Sequence, residues 1–314
     1  ANMLPWGEYR KTYGAAIAKR ELVQRRIGRL AGYIAGCDAL VDWCSWLLDE
    51  GYRGELECTI AKIFGSEVQK DASIELFMKT HGGRAFMHGH PFGDFVHEVL
   101  APCIYEGESE MLGMAFFKTI VKGHGVKYFA PVGEVLAAAN IRKPNPLNPS
   151  HAWALRNVAA PYLGWMISSS MKRYGGVSLP KMPSKLESHA RFAATSLAKS
   201  RLEISGLMRK YALGLADRQC LIADLSLRIQ NLVTMLVTSL WGARQSSPIS
   251  QAAADVLCQD LRRSVTGGRP DGKYFRAVTK LGEAIVDGEY EAIAGMEPFE
   301  IMYQYDSPSR SKSA

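Results

Sequence analysis

The residues best able to do chemistry gather in Ile104-Tyr105-Glu106-Gly107-Glu108-Ser109-Glu110, an acidic turn between an apolar run and a helix start. Carboxylates and a serine in a first helical turn meet free N–H groups and the positive end of the helix dipole. As caps, Glu108, Ser109 and Glu110 are accounted for without any ligand. Three further motifs precede this turn: Arg10-Lys11-Thr12-Tyr13-Gly14, Ala61-Lys62-Ile63-Phe64, and Lys79-Thr80-His81-Gly82-Gly83 followed by Pro91. His88, His90 and His97 share a loop, but no clear set of carboxylate or cysteine partners accompanies them. Zinc and transition-metal sites need such a set, so these read as loop histidines and no metal is expected. The glycine pairs 175–176 and 267–268 lack the lysine of a phosphate loop and read as turns.

Positioning these groups falls to helices. Apolar residues recur at helical spacing nearly everywhere and alternation of period two is absent, so the chain is expected to be all-α with no sheet. Helices are predicted over about Leu22 to Leu48, with Ile27, Leu30, Ile34 and Leu40 among the inward positions, and over Glu55 to Thr80. Gly51 suits a left-handed cap after the first, and Gly82-Gly83 ends the second. Another helix starts near Ser109 and runs to Gly123-His124-Gly125, and four more are predicted over Leu186–Leu213, Leu221–Leu240, Ala252–Val265 and Tyr274–Val286. In the second of these four, Leu221, Leu225, Ile229, Leu232, Leu236 and Leu240 share one face as a core stripe. Between the two sets, Pro144, Pro146, Pro149, Pro180 and Pro183 give linker composition. Trp153, Trp165, Met166 and Met171 with Arg156, Lys172 and Arg173 fit either an amphipathic surface helix or ordinary packing against the bundle.

Composition bounds the classes. With 314 residues and 47% hydrophobic content the chain has ample core and is expected to divide into more than one domain. Six cysteines are scattered without a CxxC pair, as in a reducing compartment, so no disulfide is expected. A net charge of +7 and a pI near 9.0 favour an anionic partner without choosing among nucleic acid, membrane and cofactor phosphates. Basic residues of the C-terminal half are interleaved with Glu187, Glu203, Asp217 and Asp224, so nucleic acid is not the expected partner. No run of about 18 or more apolar residues reads as a spanning helix.

Taken in order, the Arg-x-x-Tyr-Gly element with the Glu21-Leu22-Val23-Gln24 segment after it, the Ala-Lys-x-Phe segment, the His-Gly-Gly turn and the Ile-Tyr-Glu-Gly turn resemble the acyl-CoA dehydrogenase family over about Arg10 to Lys122. The extension after Gly123 is similar to that of the very-long-chain subclass. The resemblance implies a four-helix bundle, the family's C-terminal helical domain, over 1–125. A linker with the candidate surface helix over 126–184, a bundle-like extension over 185–305 and a disordered tail over 306–314 are expected to follow. It also implies FAD as cofactor and conversion of a fatty acyl-CoA to a trans-2-enoyl-CoA, with Glu106 as the base for the α-proton and Gly107 as a backbone contact to substrate. Arg10 and Thr12 would meet flavin phosphates of a partner subunit. Lys79, Thr80, His81, Gly82 and Gly83 match another flavin-contacting turn, and Glu108, Ser109 and Glu110 the contact after the base. A homodimer or higher oligomer and an electron-transferring flavoprotein are the implied partners, in the cytoplasm or on the matrix side of a mitochondrion, with peripheral membrane contact. This chain departs from the family at Lys79 (usually Gln), Glu108 (usually Thr) and His97-Glu98 (usually Arg-Asp), and has no room for the family's N-terminal helical and β-domains. A DNA-binding or non-catalytic relative, or a helical assembly unit, is the alternative expectation.

Overall fold

The computed structural model describes residues 1–141, 144–145, 147–171 and 177–298. Pro146, Lys172, Arg173, the 175–176 glycine turn and the 306–314 tail lie outside the described residues. Helices make up nearly all of the structure: α1 (Met3–Tyr9), α2 (Glu21–Asp49), α3 (Glu55–Asp71), α4 (Val96–Ile104), α5 (Ser109–His124), α6 (Ala130–Ala138), α7 (Pro149–Met171), α8 (Ser184–Tyr211), α9 (Gln219–Arg244), α10 (Pro248–Thr266) and α11 (Gly272–Val286). The expectation of no sheet is corrected by one small hairpin, in which β1 (Lys11–Thr12) pairs antiparallel with β2 (Ala15–Ala16). Tyr13 and Gly14 both have positive φ, at 47° and 77°, the combination a two-residue hairpin turn of type I′ demands.

The chain divides into two compact units, and the division departs from the boundaries at 125 and 185 expected from the sequence. The first unit comprises Ala1–Ser109, Leu179–Ala190 and the chain from Gln230 onward; the second comprises Glu110–Ser178 and Arg191–Ile229. The physical reason is α2. Its buried face is made largely of small residues, Gly28, Ala31, Gly32, Ala35, Gly36 and Ala39, together with Val23, Ile27 and Leu40. Such a face admits helices at close range, and α11 and α10 lie against it. A Cβ on Gly28 would stand 2.2 Å from the Val278 carbonyl oxygen, and one on Gly36 2.4 Å from Leu257 Cδ2. The apolar core of this unit accordingly joins Ile27, Ala31 and Ala35 to Ala253, Val256, Val278, Leu281 and Ile285. Polar groups reinforce the same closure: Arg29 pairs with Asp71 of α3 at 3.1 Å and with Asp260 of α10 at 3.7 Å, and Trp241 donates its indole N–H to Asp42 at 2.9 Å.

α3 continues past Asp71 through a wider π-helical stretch, Ala72–Met78, into the single turn Lys79–His81. Gly82, at φ +64°, ends it where the Gly-Gly pair predicts. α9 is long and apolar enough to cross a membrane by length and composition, and 44% of its apolar window is buried inside the protein. Its buried residues include Ser226, Gln230, Thr234, Thr238 and Ser239 as well as Leu225, Ile229, Leu232 and Met235.

In the second unit, α7 turns Tyr162 and Trp165 towards His124 and Tyr128, with ring centroids 4.5 Å apart for His124 and Trp165 and 5.8 Å for Tyr128 and Tyr162. His124 Nε2 and the Tyr162 hydroxyl both lie 2.9 Å from Ser205 Oγ. Ordinary packing therefore accounts for Trp165, whereas Trp153, Leu163, Ile167 and Met171 are exposed.

Candidate functional site

The Ile-Tyr-Glu-Gly turn joins α4 to α5. Glu106 and Gly107 both take left-handed backbone conformations, with φ of 57° and 100°. For glycine this costs nothing; for glutamate it costs about 1–2 kcal/mol, so the turn must be held by its surroundings. Two contacts with α3 hold it. The Lys62 ammonium donates to the Gly107 carbonyl at 2.5 Å, and the Cys103 thiol at the end of α4 donates to the Ser66 carbonyl at 3.1 Å. Lys62 lies in the Ala-Lys-x-Phe segment singled out in the sequence, yet its grip on a residue 45 positions away carries no local signal. Glu106 and Glu108 are exposed, while Ser109 opens α5 half-buried. Glu110, in the first turn of α5, belongs to the second unit.

A second constellation forms a cleft of about 740 Å³ in the first unit, with Arg10, Thr12, Lys79, Thr80, His81, Gly82 and Gly83 in its lining. The structure thus brings together the two predicted cofactor motifs, about 70 residues apart in the chain. The same lining holds Arg20, Arg26 and Arg84, which the motifs did not single out. Arg10 is exposed and its guanidinium makes no hydrogen bond or ion pair among the described residues. Arg20 donates to the carbonyls of Thr12 and Tyr13 and so braces the hairpin. Arg26 donates to the Lys79 carbonyl at 3.2 Å, and Arg84 sits 4.6 Å from the centre of the Trp6 ring. Glu106, Gly107, Glu108 and Ser109 are not part of this lining.

The side chains of three of the residues expected to contact the cofactor are engaged within the chain. Lys79 is engaged by Glu75 one turn earlier on the same helical run, which offsets much of its charge. Thr80 is buried and its hydroxyl donates to the Leu76 carbonyl at 2.6 Å. His81, only 3% exposed, is stacked between Phe77 and Trp6 with centroid distances of 4.3 and 5.6 Å. These residues shape the cleft wall from behind. Gly82 and Gly83 have open space where a side chain would stand, so an anionic ligand can approach their backbone directly.

His81 also contacts fully buried His90, whose Nε2 lies 3.2 Å from His81 Nδ1, while His81 Nε2 faces the Asn2 carbonyl at 3.4 Å. Burial pushes His81 down to about 4, with His90 and Arg84 acting in the same direction against the Asn2 carbonyl. His90 is lowered too, by burial and by Arg84, against Asp94. Because both folded values lie below the unfolded value near 6.5, the unfolded chain binds more protons between pH 6.5 and 4. Stability is therefore fully present above 6.5 and lost as pH falls through that window, by roughly 1.4 kcal/mol per pH unit for each proton taken up. Thermal melts should show this loss in the wild type and a shallower one in His81→Phe, which keeps the stack and removes the titration. Equal slopes would remove the histidine pair from the account. His88 is exposed and lies 3.3 Å from Asp94, whereas His97, expected in the same loop, lies in α4.

Fold and site together define an all-α domain with a cationic, glycine-floored cleft on one motif pair and an exposed carboxylate on a strained turn. Residues 2–120 match the model of the acyl-CoA dehydrogenase C-terminal domain. The long-chain specific acyl-CoA dehydrogenase of mouse mitochondria is 27% identical over 112 residues, covering 36% of this chain and 26% of the mouse protein. Cyclohexane-1-carbonyl-CoA dehydrogenase of Geobacter metallireducens is 22% identical over 120 residues, covering 38% and 31%. The NADH-dependent acryloyl-CoA reductase of Anaerotignum propionicum is 27% identical over 110 residues, covering 35% and 28%. The chain thus spans about a quarter to a third of the length of these relatives. A crystal structure of an acyl-CoA dehydrogenase complexed with FAD from Bacillus anthracis shares the fold, with a TM-score of 0.62 at 16% identity over 91% of this chain and 52% of that one. The likeness of fold therefore continues well beyond residue 120.

Proposed function

We propose that this chain is the C-terminal part of an FAD-dependent acyl-CoA dehydrogenase, with Glu106 as the base that takes the substrate's α-proton. The observation that carries the reading is the turn itself: an exposed glutamate at the family's base position, kept in a left-handed conformation that glycine would adopt at no cost, next to a glycine gripped by Lys62. In the proposed reaction Glu106 would take the α-proton of the acyl-CoA, and loss of the β-hydride would leave a trans-2-enoyl-CoA. FAD, when bound, supplies the acceptor for that hydride. Gly107, without a side chain, lets the thioester approach the backbone.

The Arg10 cleft fits the cofactor's diphosphate in chemistry. It offers a guanidinium without a partner among the described residues and bare glycine backbone. The cleft and the Glu106 turn share no lining residue, the arrangement expected when a cofactor reaches from the cleft of one copy to the carboxylate of another. A homodimer follows from this reading, with an electron-transferring flavoprotein as the re-oxidant. The test is Arg10→Ala in the protein purified with its flavin: flavin content after gel filtration should fall several-fold while the stability of the flavin-free chain stays within about 0.5 kcal/mol, the surface-substitution range. Unchanged flavin occupancy would sink the assignment of the cleft.

A further inference from the structure

The first unit holds a second cationic cleft, of about 750 Å³, far from both motifs in sequence. The first two turns of α8 contribute Lys185 and His189, the last turns of α10 contribute Arg262 and Arg263, and the 267–271 turn with the start of α11 contributes Arg269 and Lys273. Against these five permanent cations stand only Asp255 and Asp271, and both are already occupied. Asp271 caps α11, accepting from the Tyr274 amide at 2.8 Å. Asp255 is buried and shared among His189 Nε2 at 3.0 Å, Gln259 at 3.0 Å and Lys185 at 3.6 Å.

The cations differ in how far they are satisfied. Arg263 is committed to Asp260 and lies over the Tyr274 ring at 3.7 Å, and Arg262 reaches Ser188 Oγ at 3.5 Å. The side chains of Arg269 and Lys273 are exposed and make no hydrogen bond or salt bridge among the described residues, although the Lys273 charge and backbone N–H both favour the Asp271 carboxylate. The cleft also contains an orphan polar atom: His189 is 6% exposed, and its Nδ1 is buried without a hydrogen-bond partner. Clustered like charges repel, and a buried nitrogen without a partner costs free energy, so neither is favourable for folding alone. The repulsion among the cations is offset when an anion with several acceptor oxygens sits among them.

We propose that this cleft is a binding site for a phosphorylated small molecule, bearing a phosphate monoester or diphosphate held by Arg269, Lys273 and Lys185. Guanidinium and ammonium groups from separate elements suit the oxygens of such a group. The volume lies within the range of about 300–1,000 Å³ usual for organic ligands and exceeds the needs of a lone inorganic anion. The site is independent of the Glu106 turn and of the Arg10 cleft.

Inorganic pyrophosphate is the probe, titrated calorimetrically into the intact chain at low ionic strength. The double variant Arg269→Gln/Lys273→Gln should weaken one saturable site at least tenfold, and Lys185→Gln on α8 should weaken it by a smaller factor. Arg10→Ala, in the other cleft, should leave that site within twofold. Melting curves of the exposed variants are expected to match wild type, and the His189 ring resonances should shift on titration in wild type and not in the double variant. Vesicles containing phosphatidate, compared with phosphatidylcholine alone, locate the phosphate. Capture lost in the double variant places it on a lipid headgroup, and pyrophosphate binding without capture places it on a soluble ligand. Affinity unchanged by the double variant, or lost instead with Arg10→Ala, overturns the proposal.

Discussion

Glu106→Gln is expected to leave helical content and melting temperature unchanged while lowering acyl-CoA-dependent flavin reduction by about 10²- to 10⁴-fold, the usual range for loss of a general base. The side chain is exposed and no hydrogen bond or ion pair among the described residues fixes it, so an amide of the same shape does not disturb the fold. What the amide lacks is a site for the α-proton. A companion variant separates structural from chemical reasons for the residue. Glu106→Gly should raise stability by about 0.5–1 kcal/mol, because φ of +57° suits glycine, and abolish reduction all the same. Lys62→Met should give an intermediate loss, chiefly in kcat, since it frees the Gly107 carbonyl and lets the turn wander while the carboxylate remains. Stopped-flow flavin bleaching with a saturating acyl-CoA measures all three; a Glu106→Gln rate within a few-fold of wild type would take the residue out of the role.

Much of this site was legible because its parts are local. The Gly82 turn, the start of α5 at Ser109 and the extents of α2, α8, α9, α10 and α11 rest on apolar period, glycines and caps that act within a few residues. Even Ser247 and Asp271, which cap α10 and α11 with their side chains, are short-range devices. α4 escaped notice because Pro91 and Gly93 break the pattern just before it and Pro102 lies within it. The hairpin escaped because strands of two residues have no period to read.

Other features depend on residues brought together over long separations, and no pattern along the chain encodes them. Lys62 on Gly107, the stacking of Trp6 on His81 and the arrival of Arg26 at Lys79 belong to this class. The cofactor motifs named His81 and Thr80 as contacts; burial makes them supports, because a turn presents its backbone to a ligand only if its side chains are anchored behind it.

The misplaced domain boundary has a specific cause, and it yields the largest expected effect on stability. Large apolar residues drew attention to Ile27, Leu30, Ile34 and Leu40, whereas the helix packs most closely through its glycines and alanines. At the crossing of α2 and α11, a Cβ added to Gly282 would stand 2.0 Å from the Gln24 carbonyl oxygen, 2.6 Å from its carbon and 2.8 Å from Gln24 Cα. These are backbone atoms that cannot rotate away, so the two helices must separate and the seam of Ala31, Val278, Leu281 and Ile285 opens with them. Gly282→Ala is therefore expected to destabilise the first unit by about 3 kcal/mol or more, at the upper end of overpacking costs. A calorimetric melt should fall by roughly 10 °C, taking about 2–4 °C per kcal/mol for a unit of this size. Gly65→Ala is the control: it lies in α3 with nothing within 4 Å of its added Cβ, and a helix interior favours alanine over glycine by about 0.5–1 kcal/mol. By the same argument residues 1–125 alone should show no cooperative melt. They retain the buried stripe of α2 but lose α10 and α11, which cover it, and leave Arg29 without Asp260 and Asp42 without Trp241. A sharp melt from that fragment, together with wild-type stability of Gly282→Ala, would restore an autonomous N-terminal domain and reduce α10 and α11 to an accessory layer.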